Sequence, residues 1–110
     1  MYESSVADAV SHFTAHGYTG GFRAENGQLR DVITGLTYRP EQLGIDDLVR
    51  FEGESDPGDS AAVFALSDSE GAKRGTYVVA FGPQMDRLDA EAVRRLRDAR
   101  HRKAPDARDR

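Results

Sequence analysis

The 110-residue chain has no cysteine and no tryptophan, and it is poor in large aliphatic residues, with 7 Leu, 8 Val and 2 Ile beside 5 Phe. Without cysteine there is no disulfide framework, thiolate zinc site, iron–sulfur cluster or thiol nucleophile. Long apolar runs are also missing, and the opening Met1-Tyr2-Glu3-Ser4-Ser5 is not basic, so the sequence predicts neither a signal peptide nor a membrane span. The expected location is the cytoplasm. Leu, Ile, Val and Phe make up one residue in five, the edge of disordered composition, so part of the chain is expected to be tail.

A chain of this mass buries roughly 65% of its extended surface on folding, enough for one core and no second domain. Residues 1–100 are expected to form that domain and 101–110 a disordered charged tail, where Pro105 interrupts alternating charges. Residues 1–93 hold 16 acids and 7 bases, and residues 94–110 hold 8 bases and 3 acids, so the net charge of −4 conceals an acidic body with a basic end. That basic end has no aromatic platform, and attached to an acidic body it is expected to be a solvated helix end or to contact the protein's own acidic surface. Nucleic acid and membrane are therefore not expected partners.

Val6, Ala9, Val10 and Phe13 recur at helical spacing, predicting a helix over 5–16 that starts at Ser5 with Asp8 three residues on and stops at Gly17. Asn26-Gly27 is a strong hairpin signal between strands 18–24 and 28–37, although Gly20-Gly21 weakens the first and Arg30-Asp31 interrupts the second, so a bulge or a loop is as open here as a clean hairpin. Tyr38-Arg39-Pro40-Glu41-Gln42-Leu43 reads as one helical turn with Pro at its first position. Strands are predicted at 48–52, 61–66 and 76–81, joined by turn-rich segments, and a last helix from Asp86 or Asp89 to about Arg100 with Leu88, Ala92, Val93, Leu96 and Ala99 on one side. The expected fold is α+β, a two-layer sandwich in which an antiparallel meander of 3–5 strands is covered by N- and C-terminal helices.

The most distinctive segment, Arg50-Phe51-Glu52-Gly53-Glu54-Ser55-Asp56-Pro57-Gly58-Asp59, places four carboxylates in eight residues. Glu52, Glu54, Asp56 and Asp59 supply the oxygens a hard cation needs, but Pro57 and Val63 stand where a calcium loop counted from Glu52 needs Gly and Glu. An acidic solvated loop is the expected reading. His12 and His16 have the spacing of half a metal site, without a third ligand nearby in sequence. No metal, cofactor or catalytic residue is assigned.

Phe51-Glu52-Gly53 and Ser55-Asp56-Pro57, with Pro40-Glu41-Gln42-Leu43 and residues 46–50, resemble a family of small bacterial proteins labelled phosphoribosylpyrophosphate synthetase, over about residues 6–96. The label implies two acids after a buried strand, a Thr-Gly phosphate loop and two domains. Here Asp46-Asp47 lead straight into Leu48-Val49-Arg50, with no such loop and room for one domain, so the enzymatic label does not carry over.

Two functions remain. One is a non-catalytic binding or protein-interaction domain whose sheet edge or outer face meets a protein partner or a second copy. The other is a cation-dependent or carboxylate-based enzyme on an unidentified small molecule, using Glu52, Glu54, Asp56 and Asp59 with Arg50 holding an anionic substrate. Tyr38 and Arg50 complete the candidate binding residues, and the sequence leaves open whether the acidic loop borders a pocket with them or projects into solvent.

Overall fold

The computed structural model describes residues 5–51, 60–80 and 85–98. Helix α1 (Val6–Ala15) starts where expected, since the Ser5 Oγ accepts the Asp8 N–H at 3.1 Å. It stops at Gly17, whose φ of 103° reverses the chain at little cost only without a side chain. Strands β1 (Gly20–Glu25) and β2 (Gln28–Asp31) form the predicted hairpin, with Asn26 at φ 51° and Gly27 at φ 81° making its tight turn. The second strand is shorter than predicted: it ends at Asp31, a separate turn follows, and β3 (Thr37–Tyr38) pairs back onto it. The 3₁₀ turn Pro40–Gln42 then leads into β4 (Leu43–Phe51), β5 (Ala61–Asp68) and β6 (Arg74–Ala80), the expected antiparallel run.

The sheet has six strands in the order β3-β2-β1-β6-β5-β4, and β1 runs parallel to β6. This corrects the expected all-antiparallel meander of 3–5 strands. The parallel contact needs no crossover helix, because the chain returns through β2 to β5 before β6 reaches β1. Its cause lies in the glycines that weaken β1 as an isolated strand. Gly20 faces Gly75, and a Cβ on Gly75 would fall 2.7 Å from the Gly20 carbonyl carbon and oxygen, so only glycine permits this approach.

The α+β class with helices at both ends is the expected one, but the layering is three deep. In β5, Ala62, Phe64 and Leu66 join Phe22, Leu29, Tyr77, Val79, Ala92 and Leu96 in the larger core cluster. Val63 and Ala65 point the other way, to Ala9 and Phe13 of α1. Helix α2 (Arg87–Arg95) therefore packs on one face of the sheet and α1 on the other. Asp86 caps α2 by accepting the Leu88 N–H at 2.8 Å. The helix ends at Arg95, about five residues before the predicted end, and Leu88 is exposed where it was expected on the core side. Leu96 turns extended and Arg97 joins the edge of β4, donating to the Leu43 carbonyl at 3.1 Å and accepting from the Ile45 N–H at 2.7 Å. Among the described residues no helix is long and apolar enough to cross a membrane. Ala99 and the 101–110 tail lie outside the described residues.

Candidate functional site

Glu52, Glu54, Asp56 and Asp59 lie outside the described residues. Tyr38 and Arg50 stand on β3 and β4, the two edge strands of the sheet, and no described hollow holds both. Arg50 is exposed opposite Ala62, while Tyr38 packs edge to face on Phe22. Asp46 and Asp47 stand inside β4 at a bulge and continue as strand.

Prominent among the hollows lined by described residues are three of about 300 Å³. Tyr38 borders the first with Glu41, Asp68, Glu70 and Arg97. There Arg95 grips the Glu41 carboxylate with two N–H groups at 2.7 and 2.9 Å and holds it down to about 2. The second hollow opens where β1 and β6 run on past their last paired residues, Phe22 and Tyr77. Burial, followed by a 2.5 Å hydrogen bond to Asp89, pushes the Tyr77 hydroxyl well above the usual phenol range. The third lies between α1 and the β4 bulge, lined by His12, His16, Tyr18, Asp46 and Asp47. Burial and then the Asp46 carboxylate raise Tyr18 to about 12, although Arg74 over its ring opposes the shift. Ser67 Oγ donates to the same Asp46 oxygen at 2.7 Å. None of these three shifted groups titrates near neutrality, so at pH 7 both tyrosines act as donors and Glu41 as an ion-pair partner. Among the described residues no three His, Asp or Glu side chains could together hold a metal ion.

The turn at 32–36 differs from all of these. The sequence segment Val32-Ile33-Thr34-Gly35-Leu36 resembles a continuing strand, but Asp31 stops it. Its fully buried carboxylate accepts the Ile33 N–H at 2.8 Å and the Thr34 N–H at 3.4 Å through Oδ1, an Asx turn, while Oδ2 forms an ion pair with Lys73. The Asp31 backbone closes the turn from both sides, donating to Leu36 O at 2.8 Å and accepting from Gly35 N at 2.7 Å. Val32 N donates to Gly21 O at 2.9 Å, Thr34 Oγ1 accepts the Leu36 N–H at 3.2 Å, and Gly35 supplies a φ of 81°. Burial alone would raise the Asp31 carboxyl. The Lys73 ammonium and the two N–H groups outweigh it and hold the carboxyl below its ordinary value.

This heavily fixed backbone holds apolar side chains out in solvent: Val32 is 57% exposed, Ile33 70% and Leu36 59%. They are the three most exposed large hydrophobic residues in the described chain. Fully burying such a side chain is worth about 1.5–3 kcal/mol, so covering the exposed parts of all three would yield about 3–5 kcal/mol. Association costs about 4–15 kcal/mol in lost freedom, so the turn can anchor a contact but needs surrounding contacts to complete it. Sequence reading missed it because the β-branched pair Val32-Ile33 suits a strand; the available signal was Asp31 followed three and four residues later by Thr34-Gly35, a turn pair in an apolar segment. Comparison with family models, curated proteins and solved structures yields no match for this chain, so the resemblance carried by residues 40–57 rests on those residues alone.

Proposed function

We propose that this chain is a small binding domain that acts by contact rather than catalysis, and that the 32–36 turn is its anchor on a protein partner. The observation that carries this reading is the pairing of an over-determined backbone with outward apolar side chains. Folding is served by burying Val32, Ile33 and Leu36 or by replacing them with polar residues, and neither has happened. A rigid turn presents these side chains without an ordering cost on binding, which is the condition under which a small contact gains most. A cytoplasmic setting is part of the proposal. The carboxylate-enzyme alternative depends on Glu52, Glu54, Asp56 and Asp59 and draws no support from the described hollows.

A photo-crosslinking amino acid placed at Ile33, with one at the exposed Leu88 on α2 as control, tests the reading in intact cells. A protein adduct formed at position 33 and absent at 88 is the expected result. No adduct at 33, or equal adducts at both positions, would contradict it.

A further inference from the structure

We propose that His12 and His16 chelate a borderline divalent metal ion, copper(II) the tightest, with the Asp46 and Asp47 carboxylates beside it holding its water. The site lies against edge strand β4, across the sheet from the 32–36 turn, and stands independently of that turn's role. Half of it is local. His12 lies in the last turn of α1 and His16 directly follows the helix, four positions on, so the two exposed imidazoles are neighbours with ring centroids 4.4 Å apart. His16 Nδ1 lies 2.8 Å from the His12 carbonyl oxygen. A carbonyl can only accept, so Nδ1 donates and the lone pair of the neutral ring stands on Nε2. Metal-binding histidines are commonly set this way, with one ring nitrogen held by a protein oxygen and the other turned to the ion. An imidazole serves a metal through one nitrogen while a neighbour holds the other, so ligation by His12 is compatible with a protein partner on its ring.

The fold supplies the other half. Asp46 and Asp47 line the same hollow as both histidines. Successive residues of a regular strand point to opposite faces, but β4 is bulged between Ile45 and Asp47, and the bulge lets both carboxylates border one hollow. Each is anchored through one oxygen: Asp46 Oδ2 accepts the Tyr18 hydroxyl at 2.8 Å and the Ser67 hydroxyl at 2.7 Å, and Asp47 Oδ1 accepts the Leu48 N–H at 2.8 Å. No three His, Asp or Glu side chains among the described residues can hold an ion together, so the ion takes two protein ligands and completes its shell with water. The carboxylates attract it from outside that shell and accept hydrogen bonds from the bound water. The C-terminal end of α1, where both histidines sit, carries partial negative charge and favours a cation too. Paired imidazoles select borderline ions over calcium or magnesium, and copper(II) leads the divalent series.

Calorimetric titration of the untagged full chain with copper(II) tests the site. Saturable one-to-one binding is expected, with a Kd that rises about tenfold or more in His12→Gln and in His16→Gln, each of which removes one of two ligands. Asp47→Asn keeps an oxygen for the Leu48 N–H and should weaken binding about threefold, the scale of a screened charge beyond direct contact. His101→Gln, which removes the third histidine of the chain, should leave the Kd unchanged. The histidine variants alter exposed side chains, so their melting curves should overlay the parent and exclude misfolding. In NMR spectra, sub-stoichiometric copper should broaden the ring signals of His12 and His16 together and spare His101. Absence of saturable binding up to about 1 mM copper overturns the proposal. A Kd that His12→Gln and His16→Gln leave unmoved, or one that His101→Gln raises, overturns it as well. Calcium bound as tightly as copper would mean that the carboxylates alone hold the ion, and would overturn the histidine chelate.

Discussion

The β1–β2 hairpin turn at Asn26-Gly27 and the turn at 32–36 flank the same short strand, and they are built in opposite ways. The first rests on two positive-φ residues with open space around the Gly27 Cβ position, and its one long-range tie is Arg95, which donates to the Gly27 carbonyl at 3.0 Å. The second is held by a buried carboxylate, an ion pair and a set of backbone hydrogen bonds, yet presents Val32, Ile33 and Leu36 to water. A turn that only reverses the chain needs the first construction. The extra ordering of the second, combined with side chains that do not serve the core, is what points to recognition.

The largest effect should come from Lys73→Met, which leaves the buried Asp31 carboxylate without its cation. Loss of one partner of a buried pair costs about 3–5 kcal/mol, measurable as a fall in urea unfolding free energy. Asp31→Asn should cost less, about 2 kcal/mol, because an amide oxygen can still accept the Ile33 N–H and Lys73 can turn to solvent. This difference depends on pH with a definite sign. The folded Asp31 carboxyl lies below its ordinary value. Its contribution is therefore complete above the unfolded value of about 3.9 and fades as pH falls through the lower folded one. The gap between the parent and Asp31→Asn should accordingly close in acid; a gap that widens there would contradict the assignment. Gly27→Ala should cost about 1 kcal/mol, a backbone penalty alone, since a Cβ there meets nothing within 4 Å. Chemical denaturation of the three variants ranks the buried support of one turn above the bare geometry of the other.

Much of the fold was legible because its causes are local. Ser5, Gly17, Asn26-Gly27, Pro40 and Asp86 act within a few residues of themselves, and each marks the boundary expected of it. The parallel pairing of β1 with β6 was not legible, since Gly20 and Gly75 explain each other only once they are neighbours in space. The helix on each face of the sheet could have been read from the unbroken apolar run Ala61 to Leu66, which marks a strand buried on both sides. Of the sequence-derived site, Tyr38 and Arg50 are separated by the width of the sheet. The apolar turn escaped because the β-branched Val32 and Ile33 suit a strand as readily as an outward turn until Asp31 is seen to be buried.

The central claim is that the apolar side chains of the 32–36 turn are surplus to folding. Urea unfolding of the double variant Ile33→Ser/Leu36→Ser tests it most directly. If those side chains serve recognition, the unfolding free energy at dilute protein concentration stays within about 0.5 kcal/mol of the parent, as for surface positions generally. A loss above about 2 kcal/mol, the scale of a core truncation, would mean that they belong to the folded core and would contradict the claim.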